Sequence, residues 1–491
     1  MKTYKIFLCS LLLLVPILGL AQDGTFDTTF GGSGFVLTGI DDNNDYSNDV
    51  IQQTDGKLLV TGSTSGSGGS NSVILRYLIN GELDTSFGGN GVVISNGFDP
   101  STEASLQNSG KILLSGNSNG SYLVQRFTSS GELDTTFADN GSLIPINKAS
   151  KIKILNNDNF LLVGATTNGS EYFIVLQKYL INGAPDTTFG NNGVSIIEVP
   201  FESISVKDFK IQNDNSVILL STGAKTEISE IILMKFLSNG SIDSSFGTNG
   251  SIFHDIDIGS IQNSSYAAFD IAQNGNIVIA TTAGGCQSAF KRNLLRFLPN
   301  GVLDETFGSG GIIILSGVGA IPFKLIIQEN NRILIGEDVL DCFEWSYLSV
   351  KRLFENGEID STLSLSNSGQ EPSGSEFILQ TDGKIVAVGA TPWFSEDQDF
   401  YIGRYNNNPL GIEENDLKEI SIFPNPSEGL FILKSNTDFD SESTYVVTDI
   451  SGKIIQKCVL QNSETIIDLS EAQNGMYFLK TTNNVIRLLK Y

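Results

Sequence analysis

One spaced motif recurs along most of this chain and restricts what it can fold into. Asp-x-x-Phe stands at Asp27, Asp84, Asp134, Asp186, Asp243 and Asp304, and a weakened copy at Asp360 has Leu363 in place of the Phe. The intervals run from 50 to 61 residues, the size of one supersecondary unit repeated around a ring or along a stack. From the second copy on, a turn Gly precedes the Asp by three: Gly81, Gly131, Gly183, Gly240, Gly301 and Gly357. Eight residues before the same Asp residues stands a base: Arg76, Arg126, Lys178, Lys235, Arg296 and Arg352. A seventh base, Arg404, has no Asp after it.

An earlier turn opens each unit. It reads Thr54-Asp55-Gly56-Lys57 in the first copy and Thr381-Asp382-Gly383-Lys384 in the last, with looser versions between, and an apolar run follows each. Asn, Asp and Gly suit hairpins that need a positive φ. The unit therefore predicts four antiparallel strands, placed in the second copy at Ala104–Gln107, Lys111–Gly116, Tyr122–Phe127 and Glu132–Phe137. Such units close into a propeller, which removes exposed sheet edges. A straight solenoid is the alternative, with shorter repeats. The Asp series begins one unit ahead of the basic series, so seven units in a ring require the N-terminal segment Thr25–Phe30 to complete the last blade beside Tyr401–Tyr405. A three-residue hairpin loop such as Ile79-Asn80-Gly81 would set Arg76 opposite Asp84 on one face, as a structural pair within the blade.

The fold class expected is all-β: a seven-bladed β-propeller over 22–405, a linker at 406–419 and a small β-sandwich over 420–491. The run Gly81-Glu82-Leu83-Asp84-Thr85-Ser86-Phe87-Gly88-Gly89-Asn90-Gly91, with Asp-Gly-Lys and Arg-Tyr around it, resembles the delta-60 repeat of bacterial exported proteins over about residues 24–406. That resemblance implies an architecture and no defined reaction.

The first residues read as an export signal. Lys2 and Lys5 precede an apolar stretch from Ile6 to Leu20, and cleavage is expected after Ala21. A retained anchor is the alternative, but the stretch is short for a spanning helix. No later segment is apolar enough to span a bilayer, so a soluble mature chain is expected. Acidic residues outnumber basic ones 55 to 30, a formal charge of −25 that becomes two units more negative once Lys2 and Lys5 are removed. That field repels nucleic acid and anionic lipid. The acidic loop Asp41-Asp42-Asn43-Asn44-Asp45 lacks the glycine and closing glutamate of an EF-hand and reads as solvated, with a calcium site as the alternative; no metal site and no cofactor are expected.

Past the linker a different pattern begins. Phe423-Pro424-Asn425-Pro426, the turn Asp449-Ile450-Ser451-Gly452-Lys453, Gly475-Met476-Tyr477 and a closing basic-apolar run from Arg487 to Lys490 follow in order. This segment resembles the type A C-terminal sorting domain of the type IX secretion system; an ordinary sandwich accessory domain is the alternative. The resemblance implies that Pro424, Asn425, Pro426, Gly452, Gly475, Tyr477, Arg487 and Lys490 carry the sorting signal. It implies as partners an outer-membrane translocon and a sortase-like processing enzyme, and as location the outer-membrane surface or exterior of a Gram-negative bacterium.

No catalytic constellation emerges. The single His254 has no His or Cys at ligand spacing and no Gly-x-Ser-x-Gly elbow accompanies it. The repeated Asp residues point to a structural duty, since one active site does not need seven copies. The expectation is an exported, non-enzymatic propeller that binds a protein or glycan. The alternative is a polysaccharide hydrolase or lyase using carboxylates at the channel mouth. Loops between second and third strands are expected to lengthen in the last three blades. They carry Phe290, Trp345, Trp393 and Phe394, an aromatic set suited to a binding face or to packing within the protein. Cys286 and Cys342 occupy equivalent positions, ten before Arg296 and Arg352, and are candidates for a disulfide.

Overall fold

The computed structural model describes residues 23–407 and 421–491, except 42, 67–68, 96–97, 99–101, 119, 226–227, 256–265, 286–287, 316–318, 342–344, 364, 366–371, 392–396, 435–443, 450–452, 460–463 and 481–484. The expected signal peptide lies outside the described residues, as does the expected linker from 408 on; its first two residues belong to the ring, Asn406 bonded to Thr25 and Asn407 to Arg352. The chain forms two compact units, Met1–Pro409 and Leu410–Tyr491.

Among the described residues the first unit holds six sheets of four strands and one of three. Their inner strands are Asn44–Gln52, Thr102–Leu106, Lys151–Ile154, Ser203–Ile211, Tyr266–Ile271, Ala320–Ile327 and Ser373–Leu379. Each inner strand neighbours the next, and Ser373–Leu379 returns to Asn44–Gln52, so the circuit is closed. Sheet faces thus cover one another, and second strands are buried on both sides. Their apolar residues run on without alternation: Leu58-Leu59-Val60, Ile112-Leu113-Leu114 and Ile218-Leu219-Leu220 are all buried. The core is a set of clusters between consecutive sheets. Leu59, Ile74 and Phe87 of the first sheet pack with Ala104, Ile112, Leu114 and Phe127 of the second. Val386, Val388, Phe400 and Ile402 of the last pack with Val50, Val60, Val73 and Leu75 of the first.

The turns that open the units place their third residue at positive φ. Gly56 and Gly383 do so at 84° and 85°, and Asp158, Asn215 and Asn331, where the Gly is lost, at 63°, 62° and 63°. Asp and Asn tolerate this region through local side-chain hydrogen bonds, which is why the motif drifts without losing its shape.

Two strand assignments need correction. Asp-x-x-Phe is a turn. Phe87 N donates to Asp84 O at 2.9 Å, and Leu83 alone bridges back to Tyr77. The Asp side chain accepts the amide two residues on, Ser86 N to Asp84 Oδ1 at 3.1 Å, and this Asx turn competes with the ladder. The fourth strand comes later, at Val92–Ser95 in the first sheet and Ser142–Leu143 in the second, not Glu132–Phe137. The N-terminus closes the ring by the same displacement. Phe26 bridges Tyr405, but the strand added to Phe400–Tyr405 is Phe35–Thr38.

The loops expected to lengthen do so in one sheet only. Ile277–Gly285 pairs with Ser288–Phe297, and Ile333–Asp341 with Trp345–Leu353, each as a tight hairpin. In the last sheet nine residues, 391–399, separate Ile385–Ala390 from Phe400–Tyr405.

The second unit pairs a three-stranded sheet (Ser421–Phe423, Leu430–Lys434, Glu464–Asp468) with a four-stranded one (Ile454–Val459, Thr444–Asp449, Gly475–Lys480, Val485–Lys490). Phe431, Leu433, Tyr445, Val447, Ile467, Leu479 and Leu488 fill the space between them.

Candidate functional site

The repeated acid and base meet at the junctions between sheets. Leu78 N donates to Glu82 O and Gly81 N to Leu78 O, so the loop is Ile79-Asn80-Gly81 and Arg76 opposes Asp84. Arg76 Nε donates to Asp84 Oδ2 at 2.8 Å, while its guanidinium lies 4.5 Å over the Phe87 ring. Its Nη1 reaches across to the Ser129 carbonyl in the loop of the next sheet at 2.5 Å. Lys57 Nζ adds a second cation 3.0 Å from the same Asp84 oxygen, and Ser86 bonds the other one. Burial pushes the Asp84 carboxyl up, but Ser86, Lys57 and Arg76 together outweigh it and hold it well below the usual carboxylate range.

The arrangement recurs as Arg126–Asp134, Arg296–Asp304 and Arg352–Asp360, and with lysine as Lys178–Asp186 and Lys235–Asp243. Across the closure it is Arg404–Asp27. In the junction beside the termini, Arg352 donates from Nη2 to Asp23 and from Nη1 to Asn407, both at 2.7 Å, and so holds the two ends of the ring. These acids are committed to structure.

A different set of charges lines the axis. A central cavity of about 480 Å³ is walled by the inner strands. Seven residues before each positive-φ turn residue, one position per sheet faces it: Asp49, Glu103, Lys151, Asp208, Ala268, Lys324 and Glu376. Bulges at Asn48, Lys207, Phe323 and Ser375, where the register to the second strand slips, re-aim the residue that follows each of them. Most of these charges are paired around the wall. Lys151 pairs with Glu103, Lys153 with Asp208 at 2.7 Å and Lys324 with Glu376 at 3.1 Å. The carboxylates also cap amides: Asp49 takes Val50 N at 2.8 Å and, from the next sheet, Ala104 N at 3.0 Å.

Two of the charges lining the cavity form no ion pair among the described residues, Asp49 and Lys207. Burial, reinforced by Glu376 and Glu103, pushes the Asp49 carboxyl up to about 7. Burial and the Lys151 charge push the Lys207 ammonium down. Sequence reasoning missed this site. The fixed offset of seven from the turn was its available signal.

Cys286, Cys342, Trp393 and Phe394 lie outside the described residues. Phe290 sits in strand Ser288–Phe297 and Trp345 begins strand Trp345–Leu353, so neither is on a long loop. His254 lies on Ser251–Asp255, edge-on to Phe297 at 5.8 Å, and no group of metal-ligating side chains is found among the described residues. In the acidic loop, Asp45 is buried and accepts Ile40 N at 2.7 Å.

In the small unit the sorting residues converge on the last strand. Asn425 donates Nδ2 to Arg487 O at 2.6 Å and accepts Leu489 N at 2.9 Å, as a strand neighbour would. Lys490 Nζ donates to the carbonyls of Ser470 and Ala472. Tyr477 is buried in the core with its hydroxyl on Gln473 O, and Gly475 opens its strand. Pro424 and Pro426 flank Asn425, while Gly452 lies outside the described residues.

Residues 421–490 match the family of the secretion system C-terminal sorting domain. Residues 53–87, 107–137 and 272–307 match the domain of unknown function (DUF5122) beta-propeller. No curated protein matches. Among solved structures, PorZ, a surface component of the type IX secretion system of Porphyromonas gingivalis, is similar at 11% identity and TM-score 0.39 over 90% of this chain. The chain spans 59% of that protein's length. Drosophila Semaphorin 2a is similar at 8% identity and TM-score 0.46, over 93% of this chain and 97% of its own. The polysaccharide lyase Uly1 is similar at 10% identity and TM-score 0.47, over 79% and 98%. The chain thus carries DUF5122 beta-propeller repeats and a type IX secretion C-terminal sorting domain, which directs it to the cell surface or exterior of a Gram-negative bacterium.

Proposed function

We propose that the protein is a non-catalytic binding propeller, delivered outside the cell by its sorting domain and contacting a protein or glycan there. One observation carries this reading against a hydrolase or lyase: the carboxylates that a propeller would use at its axis are already engaged. Glycoside hydrolysis needs two cooperating carboxylates, one to protonate and one to attack or activate water. Here Glu103, Asp208 and Glu376 each have a lysine partner, which leaves Asp49 as the one carboxylate of the cavity wall without an ion pair among the described residues. The translocon and a sortase-like enzyme are the partners the tail calls for.

The test uses the mature protein on a glycan array and on immobilised cell-surface proteins, beside an assay for new reducing or unsaturated ends on acidic and neutral polysaccharides. Saturable binding without product supports the reading, and turnover on any of these polymers overturns it. Export is checked separately, by protease accessibility on intact cells of the full chain against a chain ending before residue 421.

A further inference from the structure

The charges on the cavity wall do not cancel locally. Going round the ring, Glu376, Asp49 and Glu103 occupy three consecutive inner strands, while Lys151, Lys153 and Lys207 occupy the two that follow, where Asp208 is the one acid and is paired with Lys153. Pairing removes most of these charges and leaves one of each sign. Asp49 has its two amide donors and no ion pair among the described residues, since Lys324, which attracts it from farther off, is paired with Glu376; Lys207 has neither an ion pair nor a hydrogen bond among the described residues. Their inner strands, Asn44–Gln52 and Ser203–Ile211, are three sheets apart one way round the ring and four the other. They therefore stand on opposite walls of the cavity. Both sit at bulges, where the extra residue turns side chains toward the axis.

We propose that the central cavity binds a small dipolar ligand, one ammonium and one carboxylate separated by a short chain, with the ammonium held by Asp49 and the carboxylate by Lys207. The volume is right for such a molecule, since small-ligand sites run to about 300–1,000 Å³, and the cavity measures about 480 Å³. The flanking charges select the orientation. Glu103 and Glu376 on either side of Asp49 repel a carboxylate there, and Lys151 beside Lys207 repels an ammonium. A neutral glycan satisfies neither charge, and a simple anion or cation satisfies one and is repelled by the other. The site lies inside the ring and is independent of any surface contact.

The experiment is calorimetric titration of the full mature chain with 6-aminohexanoate and triglycine, beside hexylamine and hexanoate, at low salt and about pH 8, where Asp49 is ionised. Binding of a dipolar probe at least about tenfold tighter than of either single-charge analogue supports the proposal. Preference for 6-aminohexanoate identifies free ω-amino acids as the ligand class, and preference for triglycine identifies peptide termini. Asp49→Asn keeps an acceptor for Ala104 N and sheds a buried charge, and Lys207→Gln touches a side chain without partners, so both should fold, Asp49→Asn with a melting temperature at or above that of the wild type at this pH and Lys207→Gln with an unchanged one. Each should weaken the dipolar probe by at least about tenfold. Equal binding of hexanoate and 6-aminohexanoate, no heat from either dipolar probe at millimolar concentration, or unaltered affinity in both variants would each overturn it.

Discussion

Arg404 and Asp27 are 377 positions apart in the chain, yet Arg404 Nε donates to Asp27 Oδ2 at 2.7 Å. The same contact is local in the other sheets, eight positions in length, as with Arg76 and Asp84. Only at the closure does it join the two ends of the ring. Arg404 Nη1 also bonds the Ile79 carbonyl of the first sheet, so one side chain ties the closing sheet to itself and to its neighbour. Arg404→Met should cost about 3–5 kcal/mol, as expected when one partner of a buried pair is removed. Lys235→Met removes a more exposed base, and should cost about 0–1 kcal/mol. Urea midpoints of the two variants decide this, and equal losses would refute the special role of the closure.

The glycine of each hairpin loop touches the Phe of the preceding unit. At Gly240, φ is +86° and an added Cβ would lie 2.7 Å from the Phe189 ring; at Gly89, φ is +93° and a Cβ would meet nothing within 4 Å. Gly89→Ala should therefore cost only the backbone term, about 1–2 kcal/mol. Gly240→Ala should add overpacking, about 1–3 kcal/mol more. Phe189→Leu in the Gly240→Ala background should recover part of that excess. Thermal melts of the three variants measure it, and identical shifts for the two alanine variants would show that the ring contact does not matter.

How far the sequence could be read follows from which contacts are local. The pairing of Arg76 with Asp84 was legible, because a three-residue loop and strand alternation fix it within nine residues. The displaced fourth strand was not. Asp84 uses its carboxylate both on Arg76 and on the Ser86 amide, and the second bond turns the chain before pairing resumes at Val92. Closure by the N-terminus was legible from the one-unit shift between two series, but the strand that performs it moved from Thr25–Phe30 to Phe35–Thr38 for the same reason. The cavity charges were hidden because Asp49, Glu103 and Lys151 share a position but not a charge. Only the fold shows that they face one another.

A second ion pair lies deeper. Arg292, in the third strand of one sheet, donates to Glu337 in the second strand of the next, and both side chains are 2% exposed; Lys351 joins the other Glu337 oxygen at 2.8 Å. Glu337→Gln leaves two cations sharing one buried spot and should cost about 3–5 kcal/mol. The double variant Arg292→Met, Glu337→Leu removes the desolvated charges together and should restore most of that loss, because Lys351 is one-third exposed and returns to water. A double variant no more stable than Glu337→Gln alone, in chemical denaturation, would mean that the pair does more than neutralise itself.

Burial raises the Asp49 carboxyl from its ordinary 3.8 to about 7; Glu376 and Glu103 add to the rise, and Lys324 and the Ala104 amide oppose it. Between those two values the folded protein keeps a proton that the unfolded chain has released. Stability from this group therefore falls as pH rises through that window and levels off above about 7. Asp27 has the opposite sign. Burial raises its carboxyl, but Lys384, Thr29 and Arg404 outweigh this and bring it to about 2, so its contribution is present above the unfolded value and is lost as pH falls through about 2. Asp49→Asn cannot titrate. Relative to the wild type it should lose nothing near pH ~4 and gain steadily up to pH ~7, with a constant advantage beyond. Asp27→Asn should instead be less stable than wild type throughout that range. Urea denaturation of the three proteins from about pH 4 to 8 provides the measurement. An Asp49→Asn curve parallel to the wild type across the whole range would show that Asp49 ionises normally, with its charge satisfied by the lysines of the ring.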